Sequence, residues 1–316
     1  MADDEGLDFD DALLDRIAER GMPMVLDRLN ALRPWRRGFF VASPEVYCSS
    51  AEAPFMRYSS CSAADFVHPR FAQISSLIGL PPQFHRKFWE WVFVVHHLTI
   101  SGVVAPGRRG LVFGVGQELL PAIFAEMGAL ITATDAPTEI GIGSGWQSSG
   151  EFAIGLSALP CGRMDRGQFE ARVEWQECDM NAIPSSLTDY DFCWSSCCLE
   201  HLGNLHLGLD FIKNSVEKTL KIGGVAVHTT ELNLSSNRET LSEGPTVLYR
   251  RRDFEEFVVE MRGRGHQVSE FIIAPDSFAV DGYVDTPPFL VDAPHLKVEL
   301  AGYTSTSAGL VITRGR

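Results

Sequence analysis

Two patterns of apolar and polar positions divide the chain near residue 109. Upstream, apolar residues recur at helical spacing. Leu7, Leu13, Leu14, Ile17, Val25, Leu26 and Leu29 alternate with charged positions and are interrupted at Gly21 and Pro23, which predicts helix broken at that point. The stretch ASPEVYCSSAEAPFMRYSSCSAADF reads as loop, with SAAD at Ser62–Asp65 placed to cap a short helix. From Phe88, FWEWVFVVHHLTISGVV is apolar nearly all round, the pattern of a buried helix.

Downstream, short apolar runs alternate with amphipathic stretches. GLVFGVG, ALITATD, RVEWQECDM, DYDFCWSSC, KIGGVAVHTTEL, SEFIIAPD and AGLVITR predict seven strands. LLPAIFAEMG, HLGLDFIKNSVEKTL and DFEEFVVEMRGR predict helices between them, with Pro121 tolerated in a first turn. Such alternation specifies an α/β fold with a doubly wound, mostly parallel sheet. Ligands of these sheets bind at the carboxyl ends of the strands. Residues 1–84 are expected to form a helical and loop extension capping the site. Residues 85–316 are the expected main domain, with an insertion at about 137–170 that is rich in Gly and Ser. A long segment at the ligand edge commonly acts as a lid or substrate wall, which makes Trp146 and Gln147 candidates to cover a ligand.

Charge narrows the partners. The net charge is −14 and the sequence pI about 5.1, which opposes nucleic acid and anionic membrane surfaces. Arg250–Arg252 is the one basic cluster of note. The acidic MADDEGLDFDD start is unlike a signal or transit peptide, and the Phe88 segment is too short for a span, so a cytoplasmic location is expected. Of seven cysteines, none forms the paired spacing of a zinc site. Free thiols and no metal are the expectation. A small-molecule partner fits best, and a homo-oligomer is compatible with the sequence.

The chemistry concentrates at residues 111–137, LVFGVGQELLPAIFAEMGALITATDAP. Gly114 and Gly116 allow close backbone approach to a ligand at a strand-to-helix turn. A dinucleotide fingerprint would place a third glycine where Leu119 stands, and Glu118 would repel a pyrophosphate. A positively charged ligand without phosphate, such as S-adenosylmethionine, suits this turn better. Asp135 ends the second strand, where a carboxylate can accept both ribose hydroxyls of either cofactor.

The order of the segments LVFGVGQE, ATDAP, ECDMNAIP, DFCWSSCCLEHLG and LKIGGVAVHTTE resembles class I S-adenosylmethionine-dependent methyltransferases, in their small-molecule branch, over roughly residues 85 to 316. The resemblance implies that Gly114 and Gly116 flank the methionine part of the cofactor and that Asp135 holds its ribose. It implies Asp179 on the adenine amino group, Met180 against the adenine ring, and Ser195 and Ser196 beside the methionine portion. The acidic residue usual before the glycine pair is Val112 here. Either Glu118 substitutes for it near the ammonium, or another segment does.

Transfer to a hydroxyl needs a base, for which histidine is suited at neutral pH. His228, with Glu231 three residues on, and His201, following Glu200, are the candidates. Arg250 is a candidate for a substrate carboxylate or phosphate, and Tyr283 for the acceptor pocket. The expected reaction is methyl transfer to a small polar acceptor, most simply a hydroxyl of a sugar or sugar-like metabolite. S- or N-methylation of an amino-acid-like metabolite is the enzymatic alternative. A non-catalytic binding subunit that keeps the fold is the third.

Overall fold

The computed structural model describes residues 53–143, 152–289 and 293–316. Nine strands form one sheet in the order β3-β2-β1-β4-β5-β9-β8-β7, with β6 pairing β9. They are β1 Arg109–Phe113, β2 Leu130–Asp135, β3 Val173–Glu177, β4 Tyr190–Ser196, β5 Leu220–Asn233, β6 Gln267–Val268, β7 Val284–Asp285, β8 Lys297–Leu300 and β9 Tyr303–Thr313. The first five are parallel, and β9 runs antiparallel beside β5. The chain moves outward from β1 to β3 and then returns to place β4 on the other side of β1. That reversal opens a crevice at the carboxyl ends of β1 and β4.

The period of two explains the layers. Val112, Phe192 and Trp194 face a core shared with α1 (Pro69–Ile78), α2 (Arg86–Ile100) and α3 (Leu120–Glu126). Leu111, Phe113 and Cys193 face the opposite core, under α4 (Leu205–Asn214) and α5 (Arg251–Gly263). On the first face α2 lies so close to β9 that the Phe93 ring occupies the place of any side chain at Gly309. Burying each such aromatic contributes roughly 1.5–3 kcal/mol. Among the described residues no helix is long and apolar enough to cross a membrane, and the cysteines Cys61, Cys161, Cys178, Cys193, Cys197 and Cys198 are free.

The expectation of seven strands is corrected at the far edge. SEFIIAPD does not form a strand of its own: Gln267 and Val268, just before it, pair with β9 at Thr313 and Ile312, and Ser269 adds one bond to the Val311 carbonyl (3.1 Å). Beyond them the outer edge of β9 is taken by an upstream segment. Cys61 donates to Ser307 (2.9 Å) and Gly309 donates to Ser59 (2.7 Å). Residues 270–274 then pair with Ser59 and Ser60 instead of with β9. The rest of that edge is covered by β8, and β7 extends it.

Candidate functional site

A cavity of about 480 Å³ opens at the crevice between β1 and β4, within the size range of small-ligand pockets. Its floor is the turn after β1. Gly114 and Gly116 take left-handed conformations, with φ of 60° and 49°. A Cβ on Gly114 would come within 2.9 Å of Cys198, so only glycine lets the two strand exits meet. Asp135 fastens this turn. Its Oδ2 accepts the Gly116 N–H (2.9 Å) and the Ala153 N–H (3.1 Å), and Oδ1 accepts the Ala136 N–H (2.8 Å). Burial raises its pKa, and these three bonds oppose the rise.

The expected cofactor residues Gly114, Gly116, Glu118, Asp135, Asp179, Met180 and Ser196 all border this cavity. Asp179 caps the short turn Met180–Ala182 through Asn181 N–H (2.8 Å). Glu118 is buried and accepts the indole N–H of Trp194 at 2.6 Å. Burial pushes its pKa up to about 8, offset in part by that bond. Four acids line the cavity (Glu90, Glu118, Asp135 and Asp179), against a single lysine, Lys87, among the described residues. Such a wall suits cationic and hydroxyl-bearing ligands and opposes phosphates. Ser195 is placed differently, buried beneath the cavity with Oγ 2.8 Å from His228 Nδ1.

The two histidine candidates separate. His201 borders the cavity, and its Nδ1 lies 2.8 Å from the Pro245 carbonyl. The Thr246 hydroxyl also lies 3.2 Å from Nδ1. The assignment of His228 as a base is corrected. It is 1% exposed, with Nδ1 facing Ser195 and Nε2 facing Ser215 at 2.9 Å. Burial lowers its pKa to about 3. The residue lies inside β5, which continues to Asn233 beside β9, so it is not at the strand's end. Glu231 does not support His228 either. It is buried against Arg86, 2.5 Å from Nη1, and accepts from Ser305 and Cys197.

Arg250 is also corrected. It is spent on Asp253, with contacts of 2.7 and 2.8 Å at the start of α5. Tyr283 precedes β7 and is not part of the cavity wall. Trp146 and Gln147 fall outside the described residues. Cys197, Glu200 and Glu231 present donor atoms within 4.8 Å of one another, but a divalent ion there would meet the Arg86 guanidinium already bound to Glu231.

Sequence reasoning missed Lys87, Glu90 and Trp91, which α2 brings to the cavity. The available signal was a lysine and a glutamate three residues apart at the start of an otherwise apolar helix, a spacing that puts both on one face.

No family model and no curated protein matches the chain. Among solved structures, magnesium protoporphyrin IX methyltransferase from Synechocystis PCC 6803, with bound SAH, is 12% identical. The match covers 93% of this chain and 100% of that one, with a TM-score of 0.41. A S-adenosylmethionine-dependent methyltransferase from Clostridium acetobutylicum ATCC 824 is 10% identical over 71% of this chain and 90% of that one, at 0.39. The cyclase SpnF is 15% identical over 62% and 69%, at 0.38. Likeness at these scores assigns no reaction, so function has to come from the chain's own residues.

Proposed function

We propose that the chain is a class I S-adenosylmethionine-dependent methyltransferase that methylates a hydroxyl of a small polar acceptor, a sugar or sugar-like metabolite. The observation that carries this reading is the acid-lined cavity at the reversal between β1 and β4, with Glu118 in the glycine turn, where a cationic ligand would favour its ionised form. The donor set fits the cofactor. Glu118 offers a carboxyl to an ammonium. Asp135 Oδ1, which accepts a single backbone bond, keeps capacity for a ribose hydroxyl. Asp179 and Met180 offer an acceptor and an apolar surface to an adenine.

When bound, the cofactor supplies a methyl group on a sulfonium. The chain's own task is then to orient the acceptor and take its proton in a site closed to water. His201, which borders the cavity, is the group assigned to the proton. With an acceptor identified by a labelled-methyl screen, His201→Gln is expected to lower kcat by roughly 100-fold while SAH affinity stays as in the wild type. Unchanged kcat across the pH range would remove His201 from the reaction.

Calorimetric titration with SAH, beside NAD, tests the cofactor, and its pH dependence tests Glu118. The free carboxyl titrates near 8 because burial favours its neutral form. An ammonium ligand favours the ionised form, so binding releases a proton below that pH. Affinity for SAH should therefore rise, by up to roughly 10-fold per unit between pH 6 and 8. Glu118→Gln should flatten the profile at its low-pH level. Binding of NAD and not SAH would overturn the reading.

A further inference from the structure

Lys87 stands out once the charges around it are assigned. Its neighbour Arg86 is committed to the fold, with 7% of its side chain exposed and Glu231 at 2.5 Å. Lys87 keeps 40% of its side chain exposed and borders the cavity. Its ammonium lies 4.0 Å from Glu90 and 4.0 Å from Glu231, beyond hydrogen-bond reach. Both carboxylates are already satisfied. Glu90 accepts from Ser307 and from Thr229 (2.7 Å), and Glu231 from Arg86, Ser305 (2.8 Å) and Cys197 (3.5 Å). Its pKa lies above the ordinary lysine value: burial and Arg86 oppose the charge, and Cys197, Glu90 and Glu231 outweigh them. Its three N–H donors make no hydrogen bond to any described residue. A charged group with unspent donors, facing a cavity otherwise lined by acids, is placed for an anion.

The cofactor has one anionic group to offer. Its ammonium and sulfonium suit the acidic wall, whereas its α-carboxylate opposes it. Lys87 also sits at the correct end of the cavity. Glu90, three residues along α2, accepts from the Thr229 hydroxyl (2.7 Å), and Thr229 is the register partner of Ser196, which is expected beside the methionine portion. We infer that Lys87 receives the α-carboxylate of the cofactor, so that α2 completes a binding site otherwise built from the carboxyl ends of the strands. This rests on the proposed cofactor. A charge-balanced methionine end then results, with Glu118 opposite the ammonium and Lys87 opposite the carboxylate.

The test compares two probes on the full chain: SAH, which carries the carboxylate, and 5′-methylthioadenosine, which lacks the amino-acid moiety. Lys87→Met is expected to weaken SAH by roughly 10- to 100-fold and leave methylthioadenosine unchanged. Lys87→Arg is expected to restore most of the SAH affinity, and thermal unfolding of each variant checks that the fold persists. Equal affinities of wild type and Lys87→Met for SAH, or equal losses for both probes, would overturn the inference. So would a Lys87→Met variant with wild-type SAH affinity and a raised KM for the acceptor, which would give the lysine to the acceptor instead. Failure of the wild type to bind either probe would sink the cofactor reading itself and is a separate result.

Discussion

Asp135→Ala is expected to abolish measurable SAH binding, with a loss of roughly 100-fold or more, and to destabilise the fold by about 2–4 kcal/mol. The two effects share one cause. The carboxylate accepts backbone N–H groups from Gly116, Ala136 and Ala153, of which Gly116 and Ala136 border the cavity. Removing it leaves buried donors without an acceptor and loosens the glycine turn at Gly116, leaving the Val115 N–H bond to the Thr134 carbonyl (3.0 Å) as its tie to β2. It also deletes the group proposed to hold the ribose. Calorimetry with SAH and urea unfolding read the two effects separately. Asp135→Asn distinguishes them further: it keeps one carbonyl oxygen for the turn but presents an NH₂ to a backbone donor. A folded Asp135→Ala protein with wild-type SAH affinity would take this residue out of the cofactor site.

Arg86→Met should give the largest loss of stability, about 3–5 kcal/mol, by removing one partner of a buried ion pair. Glu231 and Glu90 would remain, 4% and 0% exposed, with Lys87 4.0 Å from each. Burial opposes ionisation of Glu231, but Arg86 and Lys87 outweigh it and hold its pKa below the ordinary glutamate value. A depressed carboxylate contributes stability above its unfolded pKa and loses it as pH falls through the folded one. The wild type should therefore weaken on acidification below the usual glutamate range. In Arg86→Met the sign for Glu231 reverses: its pKa rises, and stability falls as pH climbs above about 4.5. Urea midpoints at pH 4 and pH 7 measure this directly. Equal losses in the variant at both pH values would show that the guanidinium acts there by packing alone.

The histidines show where the sequence runs out. His228 follows an apolar run and precedes three polar residues, so it reads as the end of a strand. β5 instead continues to Asn233, because β9 pairs with it from Val225 onward and supplies partners for Thr229, Thr230 and Glu231. Residues 224–233 are all buried, so polarity carries no signal of solvent or site there. Whether His228 faces a ligand depended on what covers it, and the irregular helical turn Ser215–Thr219 does. Arg250 was ambiguous for a related reason. An arginine three residues before an aspartate fits a helix cap as well as an anion site, and only the packing of α5 selects the cap.

The sequence by itself determined what local chemistry dictates. The alternation of apolar runs set the strands β1 to β5 and the helices between them. Gly114 and Gly116 set a turn that needs positive φ, and Asp135 and Asp179 had to fall at strand ends, where a parallel sheet gathers its ligand edge. Tertiary structure alone decided contacts between segments far apart in the chain. It threaded Ser59–Cys61 along β9 in place of the expected sixth strand, enclosed His228, and set Arg86 against Glu231. It also carried Lys87 and Glu90 across to the glycine turn. Residues on α2 can read as a buried helix in isolation, and their charges acquire a role only when the sheet delivers the matching groups.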